Sequence, residues 1–484
     1  MAAGKDGGFS SPSLRGGYAF ASVPSSRAQV MILEASGDSL VYVNGEIRAG
    51  DPYGYGYVHL PVALRKGNND LLFAVGGGSF HARLVSPTGP IVPDSADTTL
   101  PDAVRNEPLN YWGAIPVLNC TPGAAAGYFI ETYGPGLRRQ KVALPRLIPL
   151  SVRKVGFRLA GPPPAGKEVS ATIRIVGPGY ASPAVTISIP VREHGQDVKR
   201  TFVSAIDGSV QYYTVVPAHP IPGAAAPPAL VLTLHGAGVE SKGQADAYGA
   251  KSWADIVAPT NRRPYGFDWE DWGRMDAIEV LNLAQRTLHT DPARTYLTGH
   301  SMGGHGTWQV GVTYPGRFAA IGPSAGWISF QTYIGSRAAP SPTPMEAILS
   351  RAAGSSDTLA MAHNYSSEGV YILHGGADDN VPVTEARHMK TYLTSFDKQV
   401  KYHEQPGAGH WWGTDLSKYG PGWGTACVDW PPMFQMFQGL TIPADKTVDH
   451  IDFTTMNPGV SAVDHWITVC EQRKPLEPSR VIAD

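Results

Sequence analysis

The feature that most constrains the fold is a series of apolar runs in the second half of the chain. The runs are Ala229–Leu234, Thr295–Thr298 and Val370–Leu373. Runs of this kind are typical of strands that are buried on both faces of a parallel sheet. Between the first two, apolar residues recur at helical spacing from Ala277 to Leu288. Because strands alternate with helices, residues 199–441 are predicted to form a doubly wound α/β domain.

The preceding residues show a different pattern, in which short strands are separated by turns. The predicted strands of the first hundred residues are Ala28–Leu33, Ser39–Val43, Val58–Leu64, Leu71–Val75 and Phe80–Val85. Asn44-Gly45 is the strongest short hairpin signal among the turns. Residues 1–105 are therefore predicted to be a β-sandwich that ends in a linker over Pro87–Pro108. Residues 106–198 are predicted to be a second, immunoglobulin- or fibronectin-like domain, and residues 442–484 a carboxy-terminal β extension.

Composition excludes several classes of function. The chain has 39 basic and 41 acidic residues among 484, so it lacks the concentrated basic surface that nucleic-acid binding needs. No apolar stretch approaches the roughly 20 residues that span a bilayer. Three widely spaced cysteines form no CxxC pair, and no histidine and carboxylate set has metal-ligand spacing. We therefore expect no metal, no cofactor, no nucleic acid and no membrane insertion.

A candidate nucleophile follows the second apolar run, in Gly299-His-Ser-Met-Gly303. A Gly-x-Ser-x-Gly pentad alone is a weak signal, but here a strand leads in and a helix-compatible segment, Met302–Tyr314, leads out. The flanking glycines permit a sharp strand-to-helix turn that exposes the serine hydroxyl. We therefore predict that Ser301 is a nucleophile.

A serine hydroxyl needs a general base, and the base needs an acidic partner that fixes its tautomer. After the third apolar run, His374-Gly-Gly-Ala-Asp-Asp-Asn-Val-Pro382 puts Asp378 in the loop at the carboxyl end of a strand. A short strand, Lys401–Gln405, then leads into a loop that carries His410. The order of serine, acid and histidine along the chain predicts Asp378 as the acid and His410 as the base.

Other polar residues near these loops have alternative interpretations. Asp379 lies beside Asp378 and is the alternative acid. His374 ends a buried strand and His403 lies within a strand-like run, so both are interpreted as structural. His235 and His300 flank candidate functional backbone and are interpreted as residues that anchor loops.

A tetrahedral intermediate also needs two hydrogen-bond donors for its oxyanion. One is predicted to be the backbone N–H of Met302, directly after the nucleophile. The other is predicted to be that of Ala237, in the His235-Gly-Ala-Gly238 loop after the first apolar run, with Gly238 as the alternative.

Aromatic residues near these loops are candidate substrate contacts. Trp411 and Trp412 directly follow the base, and Trp269 precedes a helix. Simple packing of the helix start is the alternative role for Trp269. Together with Gly238, these three tryptophans form the predicted substrate-binding set.

Two resemblances extend this reasoning. Stretches between Val41 and Asn69 resemble the galactose-binding-like accessory domains of secreted hydrolases. From about Ser204 to Gln438 the chain resembles the prolyl oligopeptidase and esterase branch of α/β-hydrolases. The matching stretches are Asp291–Gly304, Tyr314–Ala320 and His374–Pro382. The resemblance implies an α/β-hydrolase fold and a serine hydrolase that uses Ser301, Asp378 and His410.

The sequence also departs from the peptidases of that branch. Those peptidases usually carry a β-propeller that gates the active site, and seven blades at about 45 residues each need roughly 315 residues. Here about 200 residues precede the predicted α/β domain, and they show no such repeat. An ungated site favours carboxylic esters, including those on acylated polysaccharide or other polyesters. The alternatives are a serine peptidase and a carbohydrate-binding scaffold with an inactive hydrolase domain.

The expected partner is therefore an ester substrate, which includes polymeric or carbohydrate-linked esters. The sequence carries no signal for the number of subunits. Met1–Ser13 has no apolar segment of the signal-peptide type. A secreted or periplasmic location is nevertheless expected from the resemblance to secreted hydrolases.

Overall fold

The computed structural model describes residues 4, 7–220, 226–262, 266, 268–333, 342–413 and 425–484. The chain divides into two compact units, residues 1–194 with 198–212 and residues 195–197 with 213–484. Within the described residues, no helix combines the length and the apolar character needed to cross a membrane. The finer division into four segments, with boundaries at 105, 198 and 441, stays a prediction.

The first unit opens with a six-stranded antiparallel sheet. Its strands are β1 (Gly8–Ser25), β2 (Gln29–Ser36), β3 (Asp38–Val43), β4 (Glu46–Ala49), β5 (His59–Leu64) and β6 (Gly67–Val85). The order is β4-β3-β6-β2-β5, and β1 pairs with β6. Two expectations were wrong here: β1 was not predicted, and the strands predicted at 71–75 and 80–85 are one strand. The early part of β6 pairs with β3 and its end pairs with β2, so this single strand pairs with both of them in addition to β1.

The rest of the first unit is also built from strands. They are β7 (Ile91–Pro93), β8 (Ala103–Val104), β9 (Leu109–Asn119), β10 (Phe129–Gly134), β11 (Leu137–Ala143), β12 (Ser151–Gly161), β13 (Glu168–Gly177), β14 (Tyr180–Ala181), β15 (Val185–Arg192) and β16 (Val198–Val203). One sheet has the order β11-β10-β13-β15-β8 and another β12-β9-β7. Inward residues of both sheets, such as Ile115, Phe157 and Ile173, share one core. The predicted linker over Pro87–Pro108 is therefore wrong, because it contributes β7 and β8.

The second unit alternates strands and helices. Its strands are β17 (Val210–Val216, within the unit from Tyr213), β18 (Ala229–Leu234), β19 (Ala254–Pro259), β20 (Thr295–His300), β21 (Ala320–Ser324), β22 (Gly369–Gly375), β23 (Val400–Gln405), β24 (Ile451–Thr455), β25 (Val463–Asp464), β26 (Ile467–Thr468) and β27 (Ser479–Ala483). Its α-helices are α1 (Ser241–Ala245), α2 (Trp272–Leu288), α3 (Met302–Thr313), α4 (Phe330–Tyr333), α5 (Pro344–Ala352), α6 (Thr384–Leu393) and α7 (Pro431–Gln438).

The main sheet of this unit has the strand order β17-β19-β18-β20-β21-β22-β23. β17 runs antiparallel to β19, whereas β19, β18, β20, β21, β22 and β23 all run parallel to one another. From β18 the chain first adds β19 on one side and then β20 to β23 on the other side, so the sheet is doubly wound. Every residue of β18, β19, β20 and β22 is buried. The predicted fold, an α/β-hydrolase domain preceded by β-rich structure, is confirmed.

The carboxy-terminal residues add two small antiparallel pairs, β24 with β27 and β25 with β26. The buried amide of Asn364 joins this extension to the body of the unit. Its Nδ2 donates to the carbonyl oxygens of Val312 and Thr454, and its Oδ1 accepts from the N–H of Thr454. The extension therefore packs on the hydrolase fold through a satisfied polar contact.

Candidate active site

Ser301 occupies a strained turn between β20 and α3. Its backbone has φ 61° and ψ −120°, a conformation that a non-glycine residue adopts only where the surroundings impose it. A Cβ on Gly299 would overlap the carbonyl oxygen of Gly303, and one on Gly303 would overlap that of Leu234. The two glycines of the pentad are therefore required by close backbone contacts, and the turn holds Ser301 at the carboxyl edge of the sheet.

The loops after β22 and β23 bring together an acid and a histidine. Nδ1 of His410 donates a hydrogen bond to Oδ2 of Asp378 at 2.8 Å. The Asp378 side chain is fully buried. Because Nδ1 carries the proton in this bond, Nε2 of His410 is left as the basic nitrogen. Asp379, the alternative acid, has an exposed side chain.

The Asp378 carboxylate is held by several donors. Oδ1 accepts from the backbone N–H groups of Asn380 and Val381, both at 2.9 Å. Nε2 of His374 lies 3.4 Å from Oδ2 and 2.9 Å from the Val381 carbonyl oxygen. Burial raises the pKa of Asp378, but the hydrogen bonds from His374 and His410 outweigh it and lower the pKa well below its ordinary value. Asp378 is therefore an ionised partner for His410.

Backbone contacts fix the two loops against each other. The N–H groups of Gly376 and Ala377 donate to the carbonyl oxygens of Gln405 and Ala408, each at 2.8 Å. A side chain on Gly375 would overlap the carbonyl oxygen of Gly409. The loop that carries the acid is thus in direct contact with the loop that carries the histidine.

The predicted oxyanion loop, 235–238, lies beside the serine. A Cβ on Gly236 would be 3.4 Å from Cβ of Ser301. Ala237 is exposed in the turn after β18, and Gly238 is partly buried with φ 68°. Met302 is the first residue of α3, where backbone N–H groups have no partner within the helix. Both predicted donors therefore belong to segments that flank Ser301.

The buried His235 side chain anchors this loop from below. Its Nδ1 lies 2.9 Å from the Gly236 carbonyl oxygen, and its Nε2 lies 3.0 Å from that of Thr260. Burial lowers its pKa, so the ring is neutral and donates through one nitrogen only. His235 is therefore a residue of the scaffold.

The predicted substrate-binding tryptophans have three different positions. Trp269 is 0% exposed, and its Nε1–H donates to the carbonyl oxygen of His235 at 3.1 Å. Trp412 is 2% exposed and packs against Trp430 in the core. Both lie in the interior instead of lining a pocket, because each ring fills space between elements. Trp411 is partly buried, with its ring centroid 4.1 Å from that of His300.

An aromatic group that contacts the acid loop was not predicted. Trp327 stacks on Tyr333 with a centroid distance of 4.6 Å, and Phe330 lies beside Trp327 at 5.5 Å. The hydroxyl of Tyr333 donates to the carbonyl oxygen of Asn380 at 3.3 Å. The spacing of three residues between these aromatics is a helical signal that sequence reasoning could have used.

A buried carboxylate fixes this aromatic segment to α6. Oε2 of Glu385 accepts from the backbone N–H of Ile328 at 2.8 Å and from the hydroxyl of Thr332 at 2.6 Å. The aromatic group is therefore held in place beside the acid loop.

Within the described residues, no group of three or more histidine, cysteine, aspartate or glutamate side chains is arranged to hold a metal ion. What the site does offer is a serine on a strained turn, an imidazole whose Nδ1 is bound to the acid, and an ionised carboxylate behind it. These groups are suited to nucleophilic catalysis on a carbonyl carbon.

Parts of the chain are similar to known proteins. Residues 262–422 match the prolyl oligopeptidase family. An uncharacterized secreted protein of Arthroderma benhamiae is 30% identical over 197 residues, which cover 38% of this chain and 21% of that protein. The chain thus matches about a fifth of that relative's length.

Solved structures are similar to the chain at low identity. A thermostable esterase is 14% identical, with a TM-score of 0.38 over 71% of this chain and 99% of its own. An S-formylglutathione hydrolase of Staphylococcus aureus is 16% identical, with a TM-score of 0.36 over 50% of this chain and 96% of its own.

Proposed function

Because the second unit has the α/β-hydrolase fold and matches the prolyl oligopeptidase family over residues 262–422, we propose that this serine hydrolase is a carboxylic-ester hydrolase. The observation that carries the proposal is the hydrogen-bonded pair of His410 and Asp378 at the sheet edge that also bears Ser301. An ionised acid, a histidine base bound to it through Nδ1 and a serine on a strained turn are the groups that acyl transfer requires.

In the proposed mechanism, Oγ of Ser301 attacks the ester carbonyl carbon while Nε2 of His410 accepts the hydroxyl proton. Asp378 stays ionised and stabilises the imidazolium that forms. The backbone N–H groups of Met302 and Ala237 donate to the oxyanion of the tetrahedral intermediate. When this intermediate collapses, the alcohol leaves with the proton from His410. A water molecule, activated in the same way, then hydrolyses the acyl-enzyme and restores Ser301.

The proposed substrates are esters on acylated polysaccharide or other polyester-type chains. In support, every proposed catalytic group lies between residues 235 and 410, and the described part of the first unit is built from strands. We propose that this β-rich unit presents polymeric substrate or shields the hydrolase. Trp411 and the Trp327, Phe330 and Tyr333 group are the proposed aromatic contacts beside the acid and base loops.

A serine peptidase is the second candidate, and the family match over residues 262–422 is the observation that favours it. A third candidate, a carbohydrate-binding scaffold with an inactive hydrolase, is disfavoured because the His410 and Asp378 pair is intact. A secreted or periplasmic location is also proposed, in line with the name of the Arthroderma benhamiae relative.

The test is turnover of nitrophenyl esters beside aminoacyl nitroanilides, with Ser301→Ala as the control. We expect ester turnover to dominate and the variant to lose on the order of 10³-fold or more, since binding alone does not replace a nucleophile. A fluorophosphonate probe is expected to label Ser301 and no other serine. Preferred turnover of anilides would support the peptidase, and a variant within tenfold of wild type would refute the nucleophile.

A further inference from the structure

His300 ends β20 and directly precedes the candidate nucleophile. Its side chain is 0% exposed and contacts the loop that carries His410. The ring centroid lies 4.7 Å from that of His410 and 4.1 Å from that of Trp411. A polar ring is therefore buried at the point where the nucleophile strand meets the base loop.

The imidazole makes one directed hydrogen bond. Nε2 of His300 lies 2.9 Å from the backbone carbonyl oxygen of His410. Because a carbonyl oxygen only accepts, the proton of His300 is on Nε2, and a neutral ring then has a lone pair on Nδ1. Within the described residues, this buried Nδ1 has no hydrogen-bond partner. A buried polar atom without a partner destabilises the folded state. Packing alone therefore does not account for a histidine at this position.

The ring of His300 stays in this neutral form near neutral pH. Burial, followed by repulsion from a charged His410, lowers the pKa of His300 to about 3. His300 therefore keeps one N–H donor and gains no second one when His410 takes up a proton during the reaction.

Two anchors consequently hold the base. Asp378 binds the ring of His410 through Nδ1, and His300 binds its backbone through the carbonyl oxygen. Since His300 is also joined by a peptide bond to Ser301, the second anchor links the base directly to the nucleophile. In contrast, the backbone bonds of the base loop at Gln405 and Ala408 link it to the acid loop.

We propose that His300 is a positioning residue, which holds the backbone of His410 through its Nε2–H and so maintains the spacing of base and nucleophile during proton transfer. This inference rests on the proposed serine hydrolase mechanism. It assigns His300 no contact with substrate, so loss of its donor is expected to affect kcat and not KM.

A matched pair of variants tests the proposal. His300→Gln places an amide N–H near the position of Nε2, whereas His300→Met has similar length and no donor. On a nitrophenyl ester, we expect kcat of His300→Met to fall by about 10- to 100-fold, as expected when reacting groups are displaced by up to about an ångström. KM is expected to stay within about threefold of wild type, and His300→Gln is expected to restore most of the lost kcat.

The outcomes separate this inference from the proposed function. If Ser301→Ala and His410→Ala abolish turnover while His300→Met keeps kcat within about twofold of wild type, only the positioning role is overturned. Equal loss in both His300 variants would also overturn it, since the donor would then not matter. If Ser301→Ala remains active, the proposed function fails first.

A measurement on the unmodified protein covers the case in which the variants do not fold. Nitrogen NMR of protein labelled at histidine is expected to show His300 as a neutral ring protonated on Nε2, unchanged between pH 5 and 8. A His300 that titrates in this range, or that carries its proton on Nδ1, would overturn the proposal.

Discussion

Two buried carboxylates lie at opposite ends of β22, and their pKa values shift in opposite directions. Asp378 follows the strand, and its pKa is lowered. Glu368 immediately precedes the strand, and its pKa is raised well above its ordinary value. Glu368 is 0% exposed, and neither of its carboxylate oxygens has a hydrogen-bond partner among the described residues. Asp378 receives two backbone N–H donors and the imidazoles of His374 and His410. Burial raises both pKa values, so the donors decide the sign.

The difference between the two strand ends has a topological origin. The loops at the carboxyl ends of parallel strands converge on one edge of the sheet, and two N–H groups of one such loop donate to Asp378. The amino end that bears Glu368 instead faces two further acids, Asp464 and Asp397, which raise its pKa after burial itself. The surroundings at one end of β22 therefore favour a negative charge, and those at the other end disfavour it.

The largest expected effect comes from removing the charge at the carboxyl end. Asp378→Asn is expected to reduce kcat by about 10⁴-fold, because an amide no longer fixes the tautomer of His410 or stabilises its charged form. Asp379→Asn is the matched control, since it changes the neighbouring, exposed side chain. Steady-state kinetics on a nitrophenyl ester measures both. If the Asp379 variant proves the more damaged, the assignment of the acid is wrong.

A smaller effect is expected from removing one donor to Asp378. His374→Leu is expected to lower kcat by about tenfold, since a hydrogen bond to a charged group contributes roughly 1.5–3 kcal/mol. Steady-state kinetics on a nitrophenyl ester measures the loss. His374→Gln keeps an N–H and should stay closer to wild type. A leucine variant with the kcat of wild type would contradict this role.

At the other end of β22, the expected effect concerns stability and not turnover. Because the pKa of Glu368 is raised in the folded state, its stabilising contribution is complete below the unfolded pKa and is lost as pH rises toward the folded value. Glu368→Gln should therefore match wild type near pH 4 and unfold at a higher temperature than wild type at pH 8. Thermal unfolding followed by tryptophan fluorescence measures this. A difference that is the same at both pH values would rule out the linkage.

The smallest effect is expected at Asp464, in the carboxy-terminal extension. Burial raises its pKa from 3.8 to about 6, while His465 opposes the shift. By the same sign, its contribution is present below pH 4 and is lost by about pH 6. In Asp464→Asn, the fall of the unfolding temperature over this window should be reduced, and turnover should be unchanged. A variant with the full wild-type pH dependence would show that another group is responsible.

Much of the α/β unit could be predicted because burial on both faces leaves a direct trace in the sequence. Ala229–Leu234 is an unbroken apolar run, and it is β18. β21, with the sequence Ala-Ile-Gly-Pro-Ser, was missed because glycine and proline weaken the strand pattern, although all five residues are buried. Its Gly322 is required where Met433 and Phe437 of α7 pack closely. Such a contact is not visible in local sequence.

Within the site, the residues that could be predicted were those set by chain order and loop position. The structure brings Asp378 and His410 into contact, as that order suggested. The positions of Trp269 and Trp412 could not be foreseen, because an aromatic residue near a catalytic loop fits a pocket and a core equally well from sequence. Only tertiary packing separates the two, and here both rings are enclosed by neighbouring elements.

The buried Trp269 has a mechanical consequence. The indole N–H of Trp269 donates a hydrogen bond to the carbonyl oxygen of His235. Its ring packs against Gly306 of α3, where any side chain would overlap the ring. The loop with the proposed Ala237 donor and the helix that begins at Met302 are therefore clamped by one rigid side chain. This shared contact restrains the distance between the two proposed oxyanion donors. A stationary pair of donors lowers the reorganisation that a developing negative charge would otherwise demand.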